Sequence, residues 1–100
     1  MSLKQQISED MKTAMRAKDS VRLGAIRLLL SAIKQREVDE RIELSDADVI
    51  GVIEKMLKQR RDSIAAYESA NRTDLADIEK FAVQLLQTFR YQLNLQIVQI

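Results

Sequence analysis

Three features of the sequence predict an all-α fold, a four-helix bundle-like single domain with short connections. The 100 residues are 46% hydrophobic, yet they hold only two Phe and two Tyr, two Gly and no Pro, a poor supply of the aromatic and turn residues that β-rich domains need. Apolar residues recur at three- and four-residue spacings in four separate stretches, each the signature of one helix face. Between the stretches lie capping residues rather than long loops. A chain of this length makes one domain with a modest core.

The first helix starts at Ser2, with Gln5 three residues on, the pattern in which each side chain satisfies the other's free backbone donor. Leu3, Ile7, Met11 and Met15, helped by Ala14, form a narrow stripe expected of an edge helix. Arg16 and Lys18 put cations where the helix dipole favours them, and Asp19 or Ser20 caps the next helix. The first two helices are therefore expected to form an antiparallel hairpin.

The second helix, Arg22 to Glu37, carries Leu23, Ile26, Leu29, Leu30 and Ile33 on one stripe and is the expected centre of the core. Leu28 and Ala32 widen its apolar arc beyond what one partner covers, so at least two elements should pack on it. Arg22 and Glu37 stand in line with the stripe at its two ends, where they are expected to close the core against water. The pattern fades after Val38.

Ser45-Asp46-Ala47-Asp48 is the clearest helix start, a capping hydroxyl followed by carboxylates in the first turn. The third helix then runs through Val49, Val52, Ile53, Met56, Leu57, Ile64 and Tyr67. At about 100° per residue, Arg60 falls inside the apolar arc, while Lys55, Lys58 and Arg61 lie on a neighbouring strip. A guanidinium facing a core needs a carboxylate or carbonyls, or must reach solvent along its stem. Arg60 stands level with Ala25 and Ala82, with no acid evident opposite. Pairing with a carboxylate of the first or fourth helix, snorkelling and a ligand- or RNA-facing role all remain open to it.

Asn71 suits the left-handed backbone of a helix end and Thr73 can cap the fourth helix, whose stripe is Leu75, Ile78, Ala82, Leu85, Leu86, Phe89 and Leu93. From Phe89 to Ile97 apolar and polar residues alternate strictly, a strand pattern. Without a second strand to pair with, helix is expected through about Leu93, with either state open for 94–100. Lys80 and Arg90 are the only charges from residue 80 on, so Gln and Asn supply the polar face. Phe89, Tyr91, Leu93 and Ile97 are the candidate self-association interface; packing onto the chain's own core is the alternative.

With no Cys and no His, thiol and imidazole chemistry and the commonest zinc ligands are excluded, and no acidic loop has the spacing for a metal held by oxygen alone. No Gly-rich phosphate loop and no Gly-x-Ser-x-Gly turn occur, so neither a cofactor nor independent catalysis is expected. Gly24 and Gly51 sit inside helices, read as sites of close helix packing. No window resembles a signal peptide or membrane span, and a cytoplasmic location is expected. The net charge is +1, so only the distribution of charge can point to an acidic partner. Lys18, Arg22, Arg27, Lys34, Lys55, Lys58, Arg60 and Arg61 are the candidate nucleic-acid contacts. Glu37, Asp39, Glu54 and Asp62 dilute their field, and no aromatic offers a stacking platform.

Met11-Lys12, Arg16-Ala17-Lys18-Asp19, Arg22-Leu23, Ile26-Arg27-Leu28-Leu29, Ala32-Ile33-Lys34 and Glu37, then Lys55, Lys58 to Ile64 and Arg72-Thr73-Asp74-Leu75, together resemble YqeY-like proteins over roughly residues 2–80. This family is similar to the tail of one subunit of the glutamine-dependent amidotransferase that acts on misacylated tRNA, the subunit whose tail contacts that tRNA. The resemblance implies a helical module with a tRNA- or amidotransferase-associated accessory role; stand-alone members are described by association with glutamine-dependent carbon–nitrogen ligases. It also implies a second, smaller domain, expected to be absent here. Residues 81–100 depart from the family pattern, as a divergent or engineered segment: Phe89-Arg90-Tyr91 stands in place of a Tyr-Leu-Pro stretch, and Ala82 where the family tends to carry Glu. An oligomerisation protein built on that segment is the alternative function.

Overall fold

The computed structural model describes residues 2–98, with side chains through residue 92. It contains α1 (Leu3–Arg16), α2 (Ser20–Glu40), α3 (Asp46–Ser69) and α4 (Thr73–Val98), and no strand among the described residues. Sequential helices pair, α1 with α2 and α3 with α4, and the two hairpins pack on each other. Leu3, Ile7, Ile26, Leu29, Ile33, Val49, Ile53, Leu57, Leu86 and Phe89 form one core drawn from all four helices.

The caps explain the boundaries. Ser2 and Gln5 make the reciprocal capping box, and Leu3 N donates to Asp46 Oδ1 at 3.1 Å, tying the first turn of α1 to that of α3. Asp19 caps α2 by accepting from Arg22 N. Ser45 and Asp48 form a second capping box at the start of α3. Thr73 is the first residue of α4 rather than its cap, because the first helical bond runs from Ala76 N to the Arg72 carbonyl. Asn71 takes the expected left-handed backbone at φ 58, and Lys18 at φ 55 and Arg41 at φ 56 do the same in the other connections. For Lys18 and Arg41 the conformation costs roughly 1 kcal/mol each.

One stripe differs from its sequence reading, and one open choice is resolved. Met15 is exposed and Ala14 is buried in its place, because a spacing of four overshoots a helical turn by about 40° each time, and three such steps leave Met15 well off the Leu3 line. The alternation after Phe89 does not make a strand: α4 continues to Val98, its backbone groups satisfied within the helix, where a lone strand would leave them unpaired.

The apolar arc of α2 is not fully covered. Leu28 is 59% exposed, Val21 46% and Ile78 of α4 51%. Neither glycine is required by packing among the described residues: a Cβ at Gly24 would meet nothing within 4 Å, and one at Gly51 only Arg36 Nη1 at 3.9 Å. The close packing expected at these positions is therefore absent there. Gly24→Ala is expected to stabilise the fold by about 0.5–1 kcal/mol, the helix-propensity difference, read as a raised urea midpoint in dilute solution. A lowered midpoint would show that this helix face is already in contact.

Candidate functional site

Three of the charged residues singled out by the sequence are committed to holding the fold. Arg22 Nη2 lies 3.4 Å from Asp10 Oδ2 of α1. Glu37 accepts from Lys4 Nζ at 2.8 Å and from Leu44 N at 2.9 Å, so it pins α1 and the loop before α3 to the end of α2. The Lys4 bond, then that from Leu44, holds the Glu37 carboxyl below its ordinary value, and the same bond raises Lys4. Arg60 finds its acid on α4: its Nη1 is 3.1 Å from Glu79 Oε2. The sequence placed Arg60 level with Ala82, and Glu79 lies one turn earlier on the same helix, near enough for a long guanidinium stem to reach.

This pair sits at the base of an apolar groove of about 430 Å³. One wall is α2, through Val21, Gly24, Ala25 and Leu28; the other is α4, through Ile78, Phe81, Ala82 and Leu86; Met56 and Arg60 of α3 close it below. Arg60 is 28% exposed and Glu79 16%. Arg60 Nε and Glu79 Oε2 are buried with no hydrogen-bond partner among the described residues, so the pair is held by charge more than by well-directed hydrogen bonds. Sequence reasoning had Ala25, Ala82 and Arg60 together, but it missed the groove because it buried Leu28 and Ile78.

The other cations are exposed, and Lys18, Arg27, Lys34, Lys55, Lys58 and Arg61 make no ion pair among the described residues. They do not share one face. Arg27 and Lys34 lie about 160° around α2 from Ala32 and Arg36, which line a second groove, shared with Lys55 and Gln59 of α3. The α2 cations therefore point away from α3, and Lys18 stands apart at the α1–α2 turn. Lys55, Lys58 and Arg61 wind across the outer side of α3 three residues apart. Of the acids interleaved there, Glu54 is drawn to Arg90 at 3.8 Å.

Phe89 is completely buried among core residues of its own chain, which removes it from any surface open to a second copy. Tyr91 is exposed. Leu93 and Ile97 lie on α4, and their side chains fall outside the described residues. Among the described residues no group of carboxylates is placed to hold a metal ion, and no helix is long and apolar enough to cross a membrane.

Comparison with known proteins matches residues 4–95 to the family model described as Yqey-like protein. Altered inheritance of mitochondria protein 41, mitochondrial, is similar in several yeasts. The Vanderwaltozyma polyspora protein is 38% identical over 83% of this chain and 45% of its own length. The Kluyveromyces lactis protein is 36% identical over 84% and 46%, and that of Saccharomyces cerevisiae 34% over 84% and 46%. The chain thus spans about half the length of the curated relatives it matches. Their names correct the expected cytoplasmic location, since these relatives are mitochondrial proteins. A match over most of the chain, on a fold of four packed helices, places this chain in the YqeY-like protein family.

Proposed function

We propose that this chain is an accessory module that associates with tRNA, on its own or beside a tRNA-dependent amidotransferase, through the outer side of α3. The observation that carries the reading is the contrast among its cations: Arg22 and Arg60 are spent on Asp10 and Glu79, whereas Lys55, Lys58 and Arg61 stand exposed on one strip with no acid of their own among the described residues. Cations left in water at successive turns are free to displace counterions from a phosphate backbone. Of the two acids adjacent to the strip, Glu54 is drawn to Arg90, while Asp62, next to Arg61, is exposed and makes no ion pair among the described residues. The resemblance to the amidotransferase tail supplies the kind of RNA. Arg27 and Lys34 lie on another side of the bundle and are not needed for this contact.

The test is binding of bulk tRNA by fluorescence anisotropy over a series of salt concentrations. The chain should bind at low salt, and changing Lys55, Lys58 and Arg61 together to Glu should abolish binding. Single changes to Ala should each flatten the dependence of log K on log salt by about one unit. Absence of binding at low salt, or binding indifferent to the triple change, would overturn the proposal. Self-association through Tyr91 and the end of α4 is a second reading, resting on the exposure of Tyr91 and the scarcity of charge beyond Lys80.

A further inference from the structure

We infer that the groove between α2 and α3 receives an unpaired base of the RNA whose backbone runs along the α3 cations. The inference rests on the proposed role of that strip and adds what the strip alone cannot do, which is to tell single-stranded from paired RNA. The groove holds about 600 Å³, within the roughly 300–1,000 Å³ of sites that enclose small organic groups. Gly51 keeps it open. Glycine is the poorest helix former after proline, yet packing does not demand it here, because a Cβ would meet only Arg36 Nη1, at 3.9 Å. The space that a side chain at this position would fill is the groove itself.

The lining matches the parts of a nucleotide. Ala32, Val52 and Met56 give an apolar floor, and a methionine thioether makes favourable contacts with aromatic rings. Gln59 is exposed, and its amide, donor and acceptor together, makes no hydrogen bond among the described residues. Gln35 donates its Nε2 to Asp39 at 2.9 Å and keeps its Oε1 for an incoming donor. Amides beside an apolar floor are the groups that hold the edge and face of a base taken out of its stack. Charge then orients the occupant. Arg36 is paired with Glu40 and Asp39 is engaged by Gln35, so Lys55 is the one lining charge without a partner among the described residues. Gly51 faces Arg36 across the groove; from there Lys55 and Gln59 lie one and two turns farther from the α2–α3 connection, whereas Asp39 and Glu40 lie one turn nearer to it. The acids are thus at the end away from Lys55. Lys55 is also the first cation of the strip, and Lys58 follows about 60° around α3. A phosphate on Lys55 would have its base in the groove and its neighbour towards Lys58. That continuity selects RNA over a free mononucleotide, and an unpaired base over a duplex, whose bases are already stacked and paired.

The test is fluorescence anisotropy at low salt with a short labelled oligoadenylate and a labelled blunt RNA duplex of equal charge, and with adenosine monophosphate as competitor. The chain should bind the single strand roughly tenfold more tightly than the duplex, the gain expected from seating one base, and the mononucleotide should compete only weakly. Gly51→Leu fills the groove and leaves every cation in place, so it should bring the single strand down to the duplex value. Gln59→Ala should lose part of the difference. In the full chain carrying ¹³C at its methionine methyls, oligoadenylate should move the signal of Met56, which lines the groove, and leave those of Met11 and Met15, which do not. Equal affinity for the two RNAs, both lost on changing Lys55, Lys58 and Arg61 to Glu, overturns the groove as a base site and leaves the strip reading standing. So does a preference that Gly51→Leu leaves unchanged. Tighter binding of the mononucleotide than of the oligomer overturns RNA as the occupant, and no binding of either RNA at low salt overturns both readings. If Gly51→Leu fails to fold, Gln59→Ala and the Met56 signal decide: an unmoved Met56 methyl in the presence of bound oligoadenylate overturns the inference.

Discussion

Phe89→Ala is expected to cost about 3–5 kcal/mol of folding stability, the range for emptying a fully buried aromatic site. Phe89 is the largest of the fully buried side chains and belongs to the cluster formed with Leu57, Leu85 and Leu86. A domain of this size has only about 5–15 kcal/mol in hand, so this one change consumes a large part of the total. Phe89→Glu, which would dissolve an interface if the ring faced a second copy, should here unfold the monomer. Tyr91→Glu should change stability by no more than about 0.5 kcal/mol, as expected for an exposed position. Urea unfolding of the three variants, followed by circular dichroism, checks both statements. A folded, stable Phe89→Glu would contradict the packing of α4 described above.

Removal of Glu79 is expected to have the next largest effect. Glu79→Ala leaves the Arg60 guanidinium beside the apolar groove without its acid. Loss of one partner from a buried pair costs about 3–5 kcal/mol, but both groups keep some access to water, 28% for Arg60 and 16% for Glu79, and screening reduces the figure to about 1–3 kcal/mol. The informative variant is the double one. Arg60→Met with Glu79→Leu removes both charges and fills similar volume, and should return to wild-type stability or exceed it. Urea midpoints of the two single variants and the double form a cycle whose coupling energy isolates the pair. If the double variant falls by the sum of the singles, Arg60 and Glu79 contribute separately and the pair is not the organising contact.

The core was legible in the sequence where periodicity and caps agreed. Ser2, Asp19 and Ser45 cap as their side chains predict, and the Ile26-Leu29-Ile33 stripe is buried as its spacing requires. The places where the reading failed share a cause: helical periodicity tells which residues lie on one face, but not how much of that face another helix covers. Leu28 and Ile78 belong to apolar stripes and still face solvent, because they line an open groove between α2 and α4 rather than a closed contact. The partner of Arg60 was hidden for a related reason. Levelling helices by residue count locates a Cα to within about a turn, while an arginine reaches across a whole one. The roles of Arg22 and Glu37 could be read because they continue the stripe itself, whereas the grouping of the exposed cations depends on angles between helices that no single stripe encodes.

The way Leu3, Ile26, Val49 and Phe89 converge from four different helices bears on how the chain reaches its native state. Each hairpin joins neighbours in the sequence, the arrangement associated with low contact order and folding in microseconds to milliseconds. Yet the first hairpin alone would leave much of α2 wet, since the residues that cover Ile26 and Leu29 include contributions from the second. The helices can therefore form quickly and locally, but they are retained only together. Order in this molecule is acquired in pieces and lost all at once.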